Sequence, residues 1–310
     1  PAPIRGRLVA LYQFQIVFGI LIAFLSNYIL SEFFSLDWRW MIGIEMIPAV
    51  VFLMMVVRVP ESPRWILLRK NDEEECKRVL DIIDPKLTPE TIANIKNTQA
   101  ALKDHLFSRA YTIPILLAFL IALFNQLSGI NFIIYFAPRI FSLAGLSDST
   151  ALLSTAGVGM VNLLFTLLGM MLIDNFGRRV LMKIGSLGYI ISLSTIASAF
   201  YQDASGIIVV FFVFLFIASH AIGQGAVIWV FLAEIFPNNV RTKGQSLGSG
   251  THWVLAAMIA LVMPYFLSKF EPYVIFIFFA IMMVLQLIFV VFFMPETRNR
   301  TLEALSEDYK

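Results

Sequence analysis

The sequence predicts an all-α polytopic membrane protein, on three observations. First, 59% of the 310 residues are hydrophobic, 14% are charged and the mean hydropathy is +0.81. A soluble domain sits near half apolar and a quarter charged. Second, the apolar excess falls in long runs. Eight windows reach the length of about 20 residues that a spanning helix needs: 9–30, 39–59, 111–138, 151–173, 180–201, 207–235, 245–268 and 273–294. Third, the basic residues alternate. The segments 1–8, 58–110, 174–183, 236–243 and 295–310 hold 20 of the 23 Lys and Arg, and the opposite connections hold only Arg39, Arg139 and Lys269. This composition excludes a disordered chain, a disulfide scaffold and a nucleic-acid binder, and it argues against a cytosolic enzyme.

The windows are helices and not barrel strands. They lack strand-like alternation, and an open sheet edge cannot survive in lipid. Phenylalanine-rich runs such as Phe211-Phe212-Val213-Phe214-Leu215-Phe216 lie inside them. An even number of spans puts both ends on one side. The basic excess makes that side cytoplasmic. The expected location is therefore the cell (cytoplasmic) membrane, multi-pass, with both termini of this stretch cytoplasmic. The single cysteine, Cys76, cannot form an intrachain disulfide. The chain opens Pro1-Ala2-Pro3-Ile4-Arg5-Gly6, without initiator methionine or leader region, and reads as an internal start.

The one sizeable hydrophilic stretch runs from Pro60 to Arg109. Asp72 to Asp84 reads as a short amphipathic helix. Thr88-Pro89-Glu90 is a helix start with a hydroxyl cap and proline in the first turn. Ile92, Ile95, Leu102 and Leu106 give a partial apolar stripe. The segment is expected to form a helical pad rather than a solvated linker. Two cytoplasmic signatures also recur. Arg5 and Arg241 precede polar-speckled spans 236 residues apart, and Pro60-Glu61 and Pro295-Glu296 follow spans 235 residues apart. Parallel repeats of this kind belong to transporter architectures. The division read from the sequence is 1–59, the last two spans of an N-terminal six-helix half; 60–110, a cytoplasmic helical linker; 111–294, a C-terminal six-helix half; and 295–310, a cytoplasmic tail.

Amides inside a span are costly unless partnered, so they point either to a binding site or to interhelical adhesion. The span 111–138 carries Asn125-Gln126-Leu127-Ser128-Gly129-Ile130-Asn131, with Gly129 able to break the helix. Neutral amides suit a neutral polyol, because each offers donors and acceptors to hydroxyls. A charged substrate would draw a buried countercharge, and no span centre carries one. Gln13 and Gln15 stand two residues apart in the first span and so face different ways. Asn162 lies in the span 151–173. Trp229 offers a flat apolar face and one donor. His252 offers an imidazole as donor or acceptor, with packing and proton coupling as its other readings. His105 and His220 carry no comparable indication. Gly244 and Gly248 form a small-xxx-small stripe for packing within the fold. Glu73-Glu74-Glu75 reads as a surface run, and no hydrolase, kinase, metal or dinucleotide motif is present.

Six motifs, in order and on consistent sides, resemble the sugar porters of the major facilitator superfamily, the facilitative glucose carriers and bacterial xylose–proton symporters. They are Arg5-Gly6; Pro60-Glu61-Ser62-Pro63-Arg64-Trp65; Gln126-Leu127-Ser128-Gly129-Ile130-Asn131; Asp174 with Gly177-Arg178-Arg179; Trp229 with Glu234 and Arg241; and Pro295-Glu296-Thr297. The resemblance implies the major facilitator fold, with this chain as spans five to twelve of twelve, and a bacterial source. It implies that Gln13, Asn125, Gln126, Asn131, Asn162, Trp229 and His252 bind sugar. Asn125 stands where the family has a longer glutamine, and His252 where it has an amide. Tyr135 and Phe136 would form an outer gate. Arg5, Glu61, Arg64, Asp174, Arg178, Arg179, Glu234, Arg241 and Glu296 would form a cytoplasmic gate of ion pairs between helices and between halves. Gln224, Ala226 and Ile228 replace prolines common in the family, which suggests a less kinked helix there.

The function these readings imply is a secondary transporter that moves a monosaccharide or related polyol by alternating access. The alternative is a non-transporting sugar receptor on the same fold. No enzyme activity and no cofactor are called for. The partners are a small neutral sugar and the lipid bilayer, with a co-transported proton left open. The protein is expected to act as a monomer.

Overall fold

The structure, a computed structural model, describes residues 5–34, 37–83, 91–93, 95, 105–237 and 239–298; side chains are described from residue 13 onward, except Arg64 and Ile83. Its α-helices in chain order are α1 (Arg5–Glu32), α2 (Trp38–Gly43), α3 (Met46–Val56), α4 (Pro63–Trp65), α5 (Glu73–Ile83), α6 (Thr112–Leu127), α7 (Ile130–Leu143), α8 (Asp148–Phe176), α9 (Arg178–Tyr201), α10 (Gly206–His220), α11 (Ala226–Glu234), α12 (Arg241–Lys269) and α13 (Pro272–Phe292). Two π-helical turns, Ile66–Lys70 and Ala221–Gly225, extend α4 and join α10 to α11. Among the described residues, eight helical stretches are long and apolar enough to cross a membrane: Gln13–Glu32, Trp38–Val56, Arg109–Leu143, Asp148–Phe176, Arg178–Tyr201, Gly206–Glu234, Arg241–Lys269 and Pro272–Phe292. Each coincides with one of the eight apolar windows.

The chain forms two compact units. One comprises Pro1–Leu11 and Leu36–His105, the other Tyr12–Ser35 and Leu106–Lys310. In the first, α3 has no buried residue. A small core forms instead in the hydrophilic stretch, from Ile66, Leu67, Cys76, Val79, Leu80, Ile92 and Ile95. It supports α5, whose start is capped by Asp72 Oδ1 accepting from Glu75 N at 2.9 Å. The expected helix start at Thr88-Pro89-Glu90, Leu102 of the expected stripe and the tail beyond Arg298 lie outside the described residues.

The second unit is a bundle in which α9 packs on α10 and α13, α12 on α6 and α8 on α7. Residues 13–32 of α1 run against α8. Ser149 Oγ donates to Glu32 Oε2 at 2.6 Å, and Leu21 lies against Gly159. This antiparallel register carries Gln13 to the level of Thr166.

Two caps show why helices start where they do. Ser147 Oγ accepts from Thr150 N at the head of α8. At the head of α9, Arg178 N and Arg179 N both donate to the Glu296 carboxylate at 3.0 Å. An anion there satisfies orphan first-turn donors and faces the positive end of the helix dipole. Gly177 makes this approach feasible, with φ +86° and a notional Cβ only 2.7 Å from Glu296 Oε2.

The span Arg109–Leu143 breaks at Gly129, whose φ is +83°. Only glycine enters this region without strain. A Cβ there would also lie 2.7 Å from the Phe279 ring. Gly129→Ala is therefore expected to cost about 1–3 kcal/mol from the backbone alone. It should lower the thermal unfolding midpoint in detergent. An alanine variant that melts with the wild type would contradict this account of the break.

The bundle has two apolar cores, and their order along the helices is informative. One holds Phe132, Ile133, Tyr189, Leu193, Val213, Phe216, Phe276 and Phe279; the other holds Leu117, Ile121, Leu181, Met182, Val227, Phe231, Phe289 and Val290. Along α6 and α7 the second core is met first, then Asn125 and Gln126, then the first core. Along α9 the order is Leu181 and Met182, then Ser186, then Leu193. The α10–α11 span and α13 run the other way, with His220 and Gln224, and Gln286, between the two cores. A layer of polar side chains is thus held between two apolar slabs, halfway along the spans.

Candidate functional site

The layer is buried and internally hydrogen-bonded. Asn125, Gln126, Ser186, Gln224 and Gln286 are each no more than 2% exposed. Gln126 sits at its centre. Its Nε2 donates to Asn125 Oδ1 at 3.1 Å, and lies 3.1 Å from Nδ1 and 3.3 Å from Nε2 of His252. Its Oε1 accepts from Asn131 Nδ2 at 3.0 Å. Asn125 Nδ2 donates to Gln224 Oε1 at 3.2 Å. Gln224 Nε2 donates to Gln286 Oε1, and Gln286 Nε2 donates to Ser186 Oγ at 2.7 Å. Tyr189 Oη donates to Gln224 Oε1 at 3.3 Å and also meets His220 Nδ1. Six helices and the second π turn therefore converge on one network. The spacing of two glycines lets α9 approach that turn, where Gly185 faces Gly223.

Asn125, Gln126, Asn131, Trp229 and His252 are brought together. The His252 ring lies edge-on to Trp229, with centroids 5.0 Å apart, and Trp229 is half-buried. With both N–H groups engaged, Gln126 keeps one lone pair on Oε1. Asn131 is also half-buried and keeps its Oδ1. Asn162 is buried on α8, where its Oδ1 is 3.4 Å from Thr166 Oγ1 on its own helix. Gln13 has a buried Oε1 for which no hydrogen-bond partner is found. Gln15 is exposed. Tyr135 and Phe136 diverge. Tyr135 is 53% exposed, whereas Phe136 packs on Phe132 in the core. Phe136 has φ −112° and ψ 15° within α7. Pro138 two residues on cannot donate its helical hydrogen bond, which allows such a kink.

The sequence assigns no site role to five participants: Ser186, Tyr189, His220, Gln224 and Gln286. The available signal was a lone amide inside an apolar run, most clearly Gln286 in Pro272–Phe292. Gln224, one of the residues that replace prolines common in the family, sits in a π turn. Such turns accompany functional sites often enough to be informative.

The charged residues form a second cluster at the basic end of the same unit. Arg178, 7% exposed, pairs with Glu234 through two parallel hydrogen bonds, Nε to Oε2 at 3.1 Å and Nη2 to Oε1 at 2.8 Å. Its Nη1 meets Asp174 Oδ1 at 3.3 Å and donates to Ile173 O at 3.2 Å. Thr297 Oγ1 donates to Glu234 Oε2 at 2.6 Å. Arg179 donates to Val290 O at 3.0 Å and to Val291 O, closing the C-terminal turn of α13. Arg241 donates to Phe236 O at 3.3 Å. Asp174, Arg178, Arg179, Glu234 and Glu296 thus tie α8, α9, α11 and the segment after α13 together within one unit. Glu61 is exposed in the other unit, and the side chains of Arg5 and Arg64 are outside those described. Among the described residues no group of three His, Cys, Asp or Glu is placed to hold a metal ion.

Comparison with known proteins follows the same lines. Residues 1–309 match the profile of the sugar (and other) transporter family. The D-xylose-proton symporter of Escherichia coli (strain K12) is 34% identical over 323 residues, covering 98% of this chain and 65% of that protein. The glucose transporter GlcP of Staphylococcus epidermidis is 32% identical over 321 residues, covering 100% of this chain and 70% of that protein. The inward-open conformation of the xylose transporter XylE from E. coli superposes with a TM-score of 0.83 at 33% identity, over 100% of this chain and 67% of that one. The chain thus spans about two thirds of the length of these relatives. The helical bundle is part of a major facilitator fold, the relatives are transporters rather than enzymes, and the chain belongs to the sugar transporter family of the major facilitator superfamily.

Proposed function

We propose that the full-length protein is a secondary transporter that carries a monosaccharide or related polyol across the membrane by alternating access. The observation that carries this is the polar layer: neutral donors and acceptors, held between two apolar slabs, with no Asp, Glu, Lys or Arg among them. Transporter sites lie near the bilayer midplane, and neutral amides match hydroxyls of a neutral ligand. Asn131, His252 and Trp229 face the sugar; Gln126, through its remaining lone pair, both binds it and holds Asn131 and His252 in place. Gln13, Asn125 and Asn162 complete the binding set. Tyr135 and Phe136 close the outer side, and the charged cluster biases the inner gate. The likeness to a xylose–proton symporter supports proton-coupled uptake at the cell membrane. The protein acts as a monomer.

The test is sugar binding by the purified full-length protein, measured by titration calorimetry with D-xylose and D-glucose. His252→Gln keeps a side chain that accepts from Gln126 and should retain binding. His252→Leu removes the acceptor and a ligand-facing N–H. One net hydrogen bond is worth about 0.5–1.5 kcal/mol, so affinity should fall roughly threefold to tenfold. A leucine variant that binds like the wild type would reduce His252 to packing. Failure of the wild type to bind either sugar would overturn the substrate class.

A further inference from the structure

We propose that Ser186, Gln286 and Gln224 are positioning residues that fix the donor–acceptor polarity of the sugar-facing amides, and so determine which hydroxyl chemistry the site accepts. This inference rests on the sugar-binding reading above.

An amide has a donating end and an accepting end, so a chain of amides carries a direction. The direction here follows from hydrogen-bond accounting. Ser186 Oγ lies 2.7 Å from Met182 O, a carbonyl that only accepts, so the serine hydrogen is spent on it. Ser186 Oγ then accepts from Gln286, which places the Gln286 NH2 toward Ser186 and its oxygen toward Gln224. Gln224 must present its NH2 to that oxygen, and its own oxygen to Asn125 and Tyr189. Asn125 in turn presents its oxygen to Gln126, and Gln126 presents its oxygen to Asn131. The chain ends with Asn131 Oδ1 free, beside the second lone pair of Gln126 Oε1. At this end of the chain two carbonyl oxygens, Asn131 Oδ1 and Gln126 Oε1, therefore stand beside the N–H donors of Asn131, His252 and Trp229, and the two oxygens favour a ligand hydroxyl that donates to them.

The reverse direction is chemically possible, because Tyr189 can donate to His220 instead of to Gln224 and the imidazole can exchange tautomers. Ser186 would then donate to Gln286 and give up its bond to Met182. The observed direction has one hydrogen bond more, the one from Ser186 to Met182 O, at the far end of the chain from Asn131. None of the three residues touches the ligand-facing edge; each is completely buried. Their influence passes through the amides alone.

Fluorine replacing a hydroxyl keeps a weak acceptor and removes the donor. A hydroxyl that donates to these two oxygens therefore loses its bond when fluorine replaces it, whereas reversing the amides would put N–H groups there, which tolerate fluorine. The experiment compares, in the purified full-length protein, dissociation constants for D-xylose, D-glucose and their mono-deoxyfluoro analogues. The wild type should bind the parent sugar and discriminate against at least one fluorinated position. Ser186→Ala removes the bias of one hydrogen bond, so the ratio of fluoro to parent dissociation constants should shrink about threefold to tenfold. Ser186→Thr, which restores the hydroxyl, should restore the ratio. A merely structural role would weaken all sugars by one factor and leave the ratio unchanged, and that result overturns the proposal. If Ser186→Ala is not recovered folded, Gln286→Leu removes the adjoining link and carries the same expectation. No binding of either parent sugar by the wild type would overturn the sugar reading together with this inference. Parent binding with an unchanged ratio overturns the inference alone.

Discussion

Gln126→Leu is expected to cause the largest loss of sugar binding of any single substitution in the layer. Leucine is close in size, so the bundle keeps its volume while the hub disappears. Asn125 Oδ1, Asn131 Nδ2 and the lone pair of His252 each lose a described partner. Asn131 and His252 are then no longer held toward the ligand. Two lost hydrogen bonds, at about 0.5–1.5 kcal/mol each, weaken binding roughly fivefold to more than a hundredfold. Asn131→Ala removes one ligand-facing group and should cost only about threefold to tenfold. Titration of D-xylose and D-glucose against the two full-length variants checks the order. If Asn131→Ala costs more than Gln126→Leu, the hub is wrongly placed.

Glu234→Ala is expected to have the largest effect on the inner side. It leaves the buried Arg178 guanidinium with the exposed Asp174 as its described ion-pair partner, and Thr297 Oγ1 without its described acceptor. Removing one member of a fully buried pair costs about 3–5 kcal/mol. The Glu234 side chain is 28% exposed, so solvent reaches the pair and the cost is smaller. The variant should unfold at lower temperature and still bind sugar. Because the pair ties α9 to α11 and the segment after α13, its loss should also loosen the inner gate and slow net transport. A cytoplasmic-side thiol probe on an engineered cysteine should label the variant faster than the wild type. Arg241→Ala, whose described bond is to the Phe236 carbonyl, should do less. Equal labelling and equal transport in Glu234→Ala would mean that the charges only set topology.

The spans were legible because their signal is local: a run of apolar residues long enough to cross a bilayer, with arginine and lysine at alternate ends. Gly129 was legible for the same reason, since a glycine amid polar residues in an apolar span has few explanations. The resemblance picked out Gln13, Asn125, Gln126, Asn131, Asn162, Trp229 and His252, and the structure brings five of them together, Asn125, Gln126, Asn131, Trp229 and His252. Ser186, Gln224 and Gln286 were not legible as a set. Each is a single polar residue in a different helix, and their meeting depends on how α9, the π turn and α13 rotate against one another. Pairing across 62 and 100 residues is a property of packing, not of any window. The divergence of Tyr135 and Phe136 has a similar origin. A regular helix would set them about 100° apart, but the kink before Pro138 decides which one enters the core.

If this polar layer is the sugar site of a transporter, the full-length protein exchanges sugar across a membrane. Counterflow tests it most directly, in proteoliposomes containing the full-length protein, preloaded with unlabelled D-xylose or D-glucose and supplied with the labelled sugar outside. The wild type should accumulate label transiently and saturably with at least one of these sugars. Gln126→Leu should fall toward the level of protein-free vesicles at the same sugar concentration. Absence of saturable counterflow by the wild type, or equal counterflow by Gln126→Leu, would contradict the account.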